Sequence, residues 1–277
     1  MTGKLQYEVG DSFRLMKRWE EVVGDRMAAL VMTSPPYWGQ RGYAAGPGTW
    51  GSPGESLQQW LDWGNEFGRL AAQVSTANAW LAVNLGDTMT GSGGSGGDWT
   101  SGGYAGRAPW KQGPAELGDR VMLPRQLASV PYRFADGITE DETWILRSHV
   151  IWVKPGPKPE AADHVKRPRR RYESVLLFTR PGAKPTYAAD RERFQDDVWE
   201  LPRASLPRVT PKPKAPWPVE LCEAIIDPMS NPGDLILDPF AGSGITGLVA
   251  RRMDRDAVMF DRDGDARDTY VALSRRM

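Results

Sequence analysis

The sequence predicts an α/β fold built on a largely parallel, doubly covered sheet. Three observations predict it. Short, nearly continuous apolar runs recur along the chain, as strands buried on both faces require. Helical patterns lie between those runs, and that alternation is the signature of βαβ units. Near the end, Asp234 to Gly247 reads as a strand, a glycine turn and a helix.

Taken in order, Tyr7 to Val9 is a short first strand. Ser12 to Val23 follows as a helix, with Asp11 or Ser12 able to cap it. Ala28 to Met32 is the second strand, and it runs straight into Thr33-Ser34-Pro35-Pro36-Tyr37-Trp38. Leu57 to Val74 is helical and Ala79 to Leu85 is a strand. Gly86 to Gly118 holds eleven glycines, with Trp99, Tyr104, Arg107, Trp110 and Lys111 interleaved. So long a loop in a compact domain is functional or disordered. Trp144 to Val153 and Ser174 to Phe178 are strands, and Thr179 to Pro218 is an extended surface excursion rich in Pro and Arg. Val219 to Ile226 is a helix, Asp234 to Leu237 a strand, Ile245 to Arg252 a helix and Ala257 to Phe260 the last strand. This gives one domain over 1–277: a first half to 178, a short excursion over 179–214, and a final part over 215–277, with 86–118 inserted.

Composition narrows the setting. The chain has 277 residues, 40% of them hydrophobic, enough for one large core. No apolar run approaches the ~18–20 residues of a membrane span, and Met1 to Val9 lacks a signal pattern. A lone cysteine, Cys222, fits a reducing compartment. A cytoplasmic protein is expected. Net charge is zero, with 35 Lys and Arg against 35 Asp and Glu, but basic residues cluster locally. Lys154 to Arg171 holds seven of them against Glu160 and Asp163, and Arg203 to Lys214 holds four with no acid. Such runs are a local footprint for nucleic acid, or simply solvated faces. His149 and His164 are isolated, so no metal site is expected.

Two motifs carry chemistry. In Asp238-Pro239-Phe240-Ala241-Gly242-Ser243-Gly244, the glycines at 242, 244 and 247 match G-x-G-x-x-G, and Asp261 follows 19 residues after Gly242. Glycines let a backbone approach a ligand, and an acid at the next strand's end can accept ribose hydroxyls. A dinucleotide enzyme and a methyltransferase both hold an adenosyl group in this way. Only 16 residues follow Asp261, so the other strands must come from earlier in the chain, a permuted order. The second motif is Thr33 to Trp38. An exocyclic base amine is a poor nucleophile because its lone pair is delocalised into the ring. The Ser34 hydroxyl and the Pro35 carbonyl can accept its N–H groups and free that lone pair. Pro35 and Pro36 stiffen the loop, and Tyr37 can stack on a base taken out of the duplex.

On these residues the chain resembles the DNA amino-methyltransferases of the permuted β group. Val9-Gly10-Asp11-Ser12, Asn84-Leu85-Gly86-Asp87, Ile151-Trp152-Val153-Lys154-Pro155, Arg167-Pro168 with Tyr172-Glu173, Val198-Trp199-Glu200-Leu201-Pro202 and Ala215-Pro216-Trp217-Pro218 are similar to further family segments. Tyr172 stands where the family often has His. The family usually has Glu at the place of Asp261 and Thr-Thr at the place of Ile245-Thr246; both departures keep the chemistry possible, and whether they weaken cofactor binding is left open. The resemblance implies a Rossmann-like seven-stranded sheet in the family's order 3-2-1-4-5-7-6, with strand 7 antiparallel. In that order the strand before Thr33 lies beside the strand before Asp238, at the switch point where ligands bind.

The resemblance also implies site-specific transfer of a methyl group from S-adenosyl-L-methionine to the exocyclic amine of a flipped base. Ser34, Pro35, Pro36 and Tyr37 would be catalytic. Asp11, Thr33, Pro218, Asp238, Pro239, Phe240, Gly242, Ser243, Gly244, Thr246 and Asp261 would hold the cofactor. Trp38, Arg41, Lys154, Lys166, Arg167, Arg169, Arg170, Arg203 and Arg208 would meet double-stranded DNA. Ser-Pro-Pro-Tyr leans to N4 of cytosine; N6 of adenine is the alternative. A catalytically silent DNA-binding relative is a third reading, and a nicotinamide dehydrogenase, disfavoured by the permuted order, a fourth. A cognate restriction endonuclease and a second copy of the chain stand as candidate partners.

Overall fold

A computed structural model describes residues 3–38, 49–52, 54–90, 115–155, 168, 170–188, 196–212 and 215–277. Its centre is an eight-stranded sheet in the order β1-β10-β9-β2-β3-β7-β6-β8. These strands are β1 (Leu5–Val9), β2 (Ala28–Thr33), β3 (Ser75–Leu85), β6 (Ile145–Val153), β7 (Tyr172–Thr179), β8 (Val198–Glu200), β9 (Leu235–Asp238) and β10 (Asp256–Asp261). A small hairpin, β4 (Glu116–Leu117) with β5 (Arg120–Val121), stands apart.

The order contains the expected 3-2-1-4-5-7-6 arrangement, and β7 runs antiparallel to both β3 and β6. The eighth strand is the addition. It comes from the 179–214 stretch, whose lack of periodicity suggests only a surface excursion. There β8 pairs in parallel with β6, and Trp199 and Leu201 are buried. Three paired residues are too few to show an alternation.

Alternating side chains explain why the strands read as apolar throughout. On β2, Val31 joins one core cluster, whereas Leu30 and Met32 join the other. The first face is covered by α1 (Ser12–Lys17), α3 (Leu57–Gln73) and α4 (Val130–Thr139), the second by α5 (Val219–Met229) and α6 (Ile245–Arg252). Helix α3 buries Leu57, Trp60, Leu61, Phe67, Leu70 and Ala71 along one stripe, and a Ser56–Gln59 capping box starts it. The helix expected over Ser12 to Val23 breaks at Arg18 and resumes as α2 (Trp19–Val22). The break buries Trp19, whose indole N–H donates to the Arg26 carbonyl at 2.8 Å. Helix α7 (Gly264–Ser274) follows β10.

β9 and β2 are neighbours, with Leu30 opposite Ile236 and Val31 opposite Leu237. On one side of this pair lie β10 and β1, on the other β3 and beyond. The strand order therefore reverses here while the strands stay parallel, and the loops after β2 and β9 open at the same edge. No helix among the described residues is long and apolar enough to cross a membrane.

Candidate active site

The two loops meet through one carboxylate. Asp238, the last residue of β9, is 4% exposed. Its Oδ1 accepts from the Thr33 hydroxyl at 2.8 Å and its Oδ2 from the Thr246 hydroxyl at 2.6 Å. Thr33 and Asp238 are 205 positions apart in sequence. Burial pushes the Asp238 carboxyl up to about 6, although the two hydroxyls and the Phe240 N–H draw it down. Thr246 thus turns inward onto Asp238. Ile245, which stands where a hydroxyl was expected, is 2% exposed and packs with Val249 and Cys222 in the second cluster.

The glycine turn is held from three sides. The Gly242 N–H donates to Asp261 Oδ2 at 2.8 Å, and the Gly242 carbonyl accepts from the Tyr7 hydroxyl at 2.7 Å. Ser12 donates its hydroxyl to the Pro239 carbonyl. Tyr7 stacks on Tyr270 with ring centroids 5.1 Å apart, and burial, reinforced by Asp261 and Asp238, pushes its hydroxyl well above the ordinary tyrosine range. The glycines divide the work. Gly242 has φ +51°, and a Cβ there would meet nothing within 4 Å, so space lies beside it. Gly244, at φ +68°, has no such room, because a Cβ would stand 2.6 Å from the Tyr270 ring. The first leaves a cradle open, and the second lets helix α6 pack.

Asp261 closes the other end. Besides the Gly242 N–H, its Oδ1 accepts the Asp263 N–H at 2.9 Å. Burial raises its carboxyl above the usual range. Each oxygen keeps a second lone pair for a ligand hydroxyl. Asp11 caps α1 by accepting the Arg14 N–H at 3.0 Å, and the preceding Gly10 N–H donates to the Asp261 carbonyl at 2.9 Å. Phe240 packs edge-on against Trp50 at 5.4 Å, and Pro218 stands at the head of α5. Ser243 is buried within the turn.

The loop after β2 is tethered along its length. The Pro36 carbonyl accepts from Trp60 Nε1 at 2.7 Å. Among the described residues, the partly exposed Ser34 hydroxyl and the Pro35 carbonyl carry no such bond. Tyr37 is 7% exposed, and its hydroxyl reaches Asn84 Oδ1 at 3.0 Å and Glu173 Oε2 at 3.2 Å. Trp38 is 3% exposed, and its indole N–H donates to the Glu55 carbonyl at 3.0 Å. So placed, Trp38 props the loop against the core. The Glu55 carboxyl is itself buried and pushed up to about 7.

The expected DNA contacts are dispersed. Lys154 pairs with Glu173 and lies over the Trp152 ring, so its ammonium is already engaged. Arg170 donates to the Asp87 carbonyl. Arg203 and Arg208 are exposed. Arg41, Lys166, Arg167 and Arg169, His164 and most of the glycine-rich loop lie outside the described residues. Sequence reasoning passed over Tyr7, Asn84, Glu173 and Trp217 as site residues. The visible signals are a polar Asn84 inside an apolar run and the family-like segments that hold Glu173 and Trp217.

Known proteins resemble this arrangement. A family description reading "DNA methylase", covering the N6/N4 group, matches residues 28–271. The Type II methyltransferase M.Cfr9I of Citrobacter freundii is 31% identical over 95% of this chain and 85% of its own. The solved cytosine-N4-specific PvuII DNA methyltransferase superposes with a TM-score of 0.68 over 99% of this chain and 87% of that one, at 18% identity. The M1.HpyAVI–SAM complex superposes at 0.60 over 98% and 99%, at 17% identity. At those identities the structural likeness speaks to the fold.

Proposed function

This chain belongs to the N6/N4 DNA methylase family, and we propose that it is a type II modification enzyme that methylates N4 of cytosine in double-stranded DNA. The carrying observation is the Thr33–Asp238 hydrogen bond, which fixes a loop suited to an amine against a turn suited to an adenosyl group. The cytosine assignment rests on Ser34 at the head of Pro-Pro-Tyr, and the cytosine-specific PvuII enzyme shares the fold. The N6-adenine reaction needs the same acceptors and is the alternative.

S-adenosyl-L-methionine supplies a methyl group activated on a sulfonium. The open side of Gly242 and the lone pairs remaining on Asp261 fit its adenosyl part. Gly242, Ser243 and Phe240 would line its path, with Asp11 and Pro218 at the margins. Asp238, Thr33, Thr246, Pro239 and Gly244 act behind them, holding the turn in shape.

The chain's own residues do the rest by placement. Ser34 Oγ and the Pro35 carbonyl accept the two amine N–H groups, so the nitrogen lone pair is released from the ring. Pro35 and Pro36 have fixed φ, which keeps those acceptors aimed without reorganisation. Tyr37 holds the base ring. Arg203 and Arg208, exposed and basic, contact phosphate. A cognate restriction endonuclease would share the recognition site.

The test is direct. Unmodified genomic DNA is incubated with protein and S-adenosyl-L-methionine, digested to nucleosides and resolved by mass. N4-methylcytosine supports the proposal, N6-methyladenine moves it to the alternative, and no modified nucleoside at all defeats it. Ser34→Ala should slow transfer by about 10²–10³ while cofactor affinity stays within twofold, as for a preorganised acceptor. An undiminished rate would remove Ser34 from the mechanism.

A further inference from the structure

A second polar cluster lies behind the loop, and its hub is Asn84. It is 1% exposed, one residue from the end of β3, in a run that is otherwise apolar from Ala79 to Leu85. A buried carboxamide is costly unless its bonds are made. Here they are made to three separate segments. Oδ1 accepts from the Tyr37 hydroxyl at 3.0 Å and from Trp217 Nε1 at 3.0 Å, and Nδ2 donates to the Ser174 carbonyl at 3.0 Å. The Ser174 bond locks the side chain to β7 and so fixes which way the oxygen points.

That one oxygen therefore holds two different things. Tyr37 belongs to the loop that takes the base. Trp217 precedes Pro218, which opens α5 against the cofactor turn's face of the sheet. The Tyr37 hydroxyl has a single proton, and Glu173 Oε2 stands at 3.2 Å as a second acceptor, on a carboxylate whose other oxygen, Oε1, pairs with Lys154. Asn84 Oδ1 is the nearer of these two acceptors.

We infer that Asn84 is a positioning residue for methyl transfer: through its shared Oδ1 it holds the Tyr37 ring in the pose that receives the target base and ties that pose to the Trp217–Pro218 segment. This rests on the methyltransferase reading above. Ring pose matters at the transfer step, because a base held a fraction of an ångström off line reacts slowly even when bound.

The test is a double-mutant cycle. Wild type, Asn84→Leu, Tyr37→Phe and the double variant are compared by single-turnover methylation of genomic DNA, cofactor affinity by calorimetry, and thermal melting. Each single change should slow transfer roughly tenfold with cofactor affinity within about twofold, and the double should be no slower than the worse single, since both remove the same Tyr37–Asn84 bond. A purely structural Asn84 would give losses that multiply and would follow the melting temperature. Multiplying losses, or an Asn84→Leu that transfers at the wild-type rate, overturn the inference. If Asn84→Leu does not fold, Tyr37→Phe decides from the other end of the bond, and wild-type transfer by that variant overturns it. A wild-type protein that modifies no DNA defeats the methyltransferase reading itself and the inference with it, an outcome distinct from an active enzyme with multiplying losses.

Discussion

The glycine turn after β9 and the proline loop after β2 face each other across the same sheet edge, yet they get their shape in opposite ways. The turn has soft backbone at Gly242 and Gly244, and its form is imposed by neighbours: Tyr7 on a carbonyl, Asp261 on an N–H, Ser12 on the Pro239 carbonyl. The loop has fixed φ at Pro35 and Pro36 and is largely shaped by its own covalent structure. Trp60, Asn84, Glu173 and the Glu55 carbonyl then tether it at Pro36, Tyr37 and Trp38, beyond the stretch that carries the acceptors. A soft turn can fit closely around a ligand but depends on its surroundings. A stiff loop aims its acceptors regardless of them.

Several substitutions would break or sharpen this contrast. The largest effect is expected from Asp238→Ala, because that carboxylate serves both sides. Losing it leaves the Thr33 and Thr246 hydroxyls buried without their acceptor, at a cost of about 2–4 kcal/mol. Melting temperature should fall by several degrees, and methylation should drop below detection. A variant that kept both would show that the two loops are not joined through this group.

Asp238→Asn isolates the charge. With its carboxyl at about 6 in the folded protein against the ordinary 3.8, Asp238 favours the folded state most while it is protonated. That contribution is complete below about pH 4 and is lost as pH rises through about 6. Wild type should therefore lose stability relative to Asp238→Asn between those values, with a constant difference above pH 7. Urea unfolding across that range measures it, and a flat difference throughout would contradict the shift.

Smaller effects separate the two loops. Gly242→Ala puts a methyl group into the open side of the turn and adds about 1 kcal/mol of left-handed strain. Cofactor affinity should fall about tenfold or more, with melting changed little. Tyr7→Phe keeps the stack on Tyr270 and removes one hydrogen bond, worth roughly 0.5–1.5 kcal/mol, so affinity should fall about three- to tenfold. Pro36→Ala is the counterpart on the stiff side. Trp60 still holds the residue-36 carbonyl, so transfer should change no more than about threefold and stability by about 0.4–1 kcal/mol. If Pro36→Ala outweighed Tyr7→Phe, the contrast between a neighbour-shaped turn and a self-shaped loop would be wrong.

The same contrast explains what could be read from residues alone. Strands such as Ala28–Thr33 and Asp256–Asp261 announce themselves because both faces are covered and every residue is apolar or nearly so. The two loops were legible because their chemistry is local: glycines in one, prolines in the other. The tethers were not. Tyr7 and Gly242 are 235 positions apart, and nothing near Tyr7 marks its hydroxyl as bound for that carbonyl. Trp38 is open in the same way, since an aromatic beside a catalytic loop fits a base or a core equally well until Glu55 and the α3 helix are placed. Helix α4 also escaped notice, since Pro131 and Gly137 obscure a pattern that buries Val130, Phe134 and Ile138.

The 205-residue separation between Thr33 and Asp238 also sets a timetable for synthesis. At about 5–20 residues per second, roughly 10–40 s pass between the two residues leaving the ribosome. Throughout that interval β2 waits without its neighbour β9, and β1 without β10. Their backbone N–H and C=O groups are unpaired edges, the kind that invite aggregation. The half of the sheet that carries the base loop is therefore made early and finished last, and the nascent chain carries those open edges until its final strands arrive.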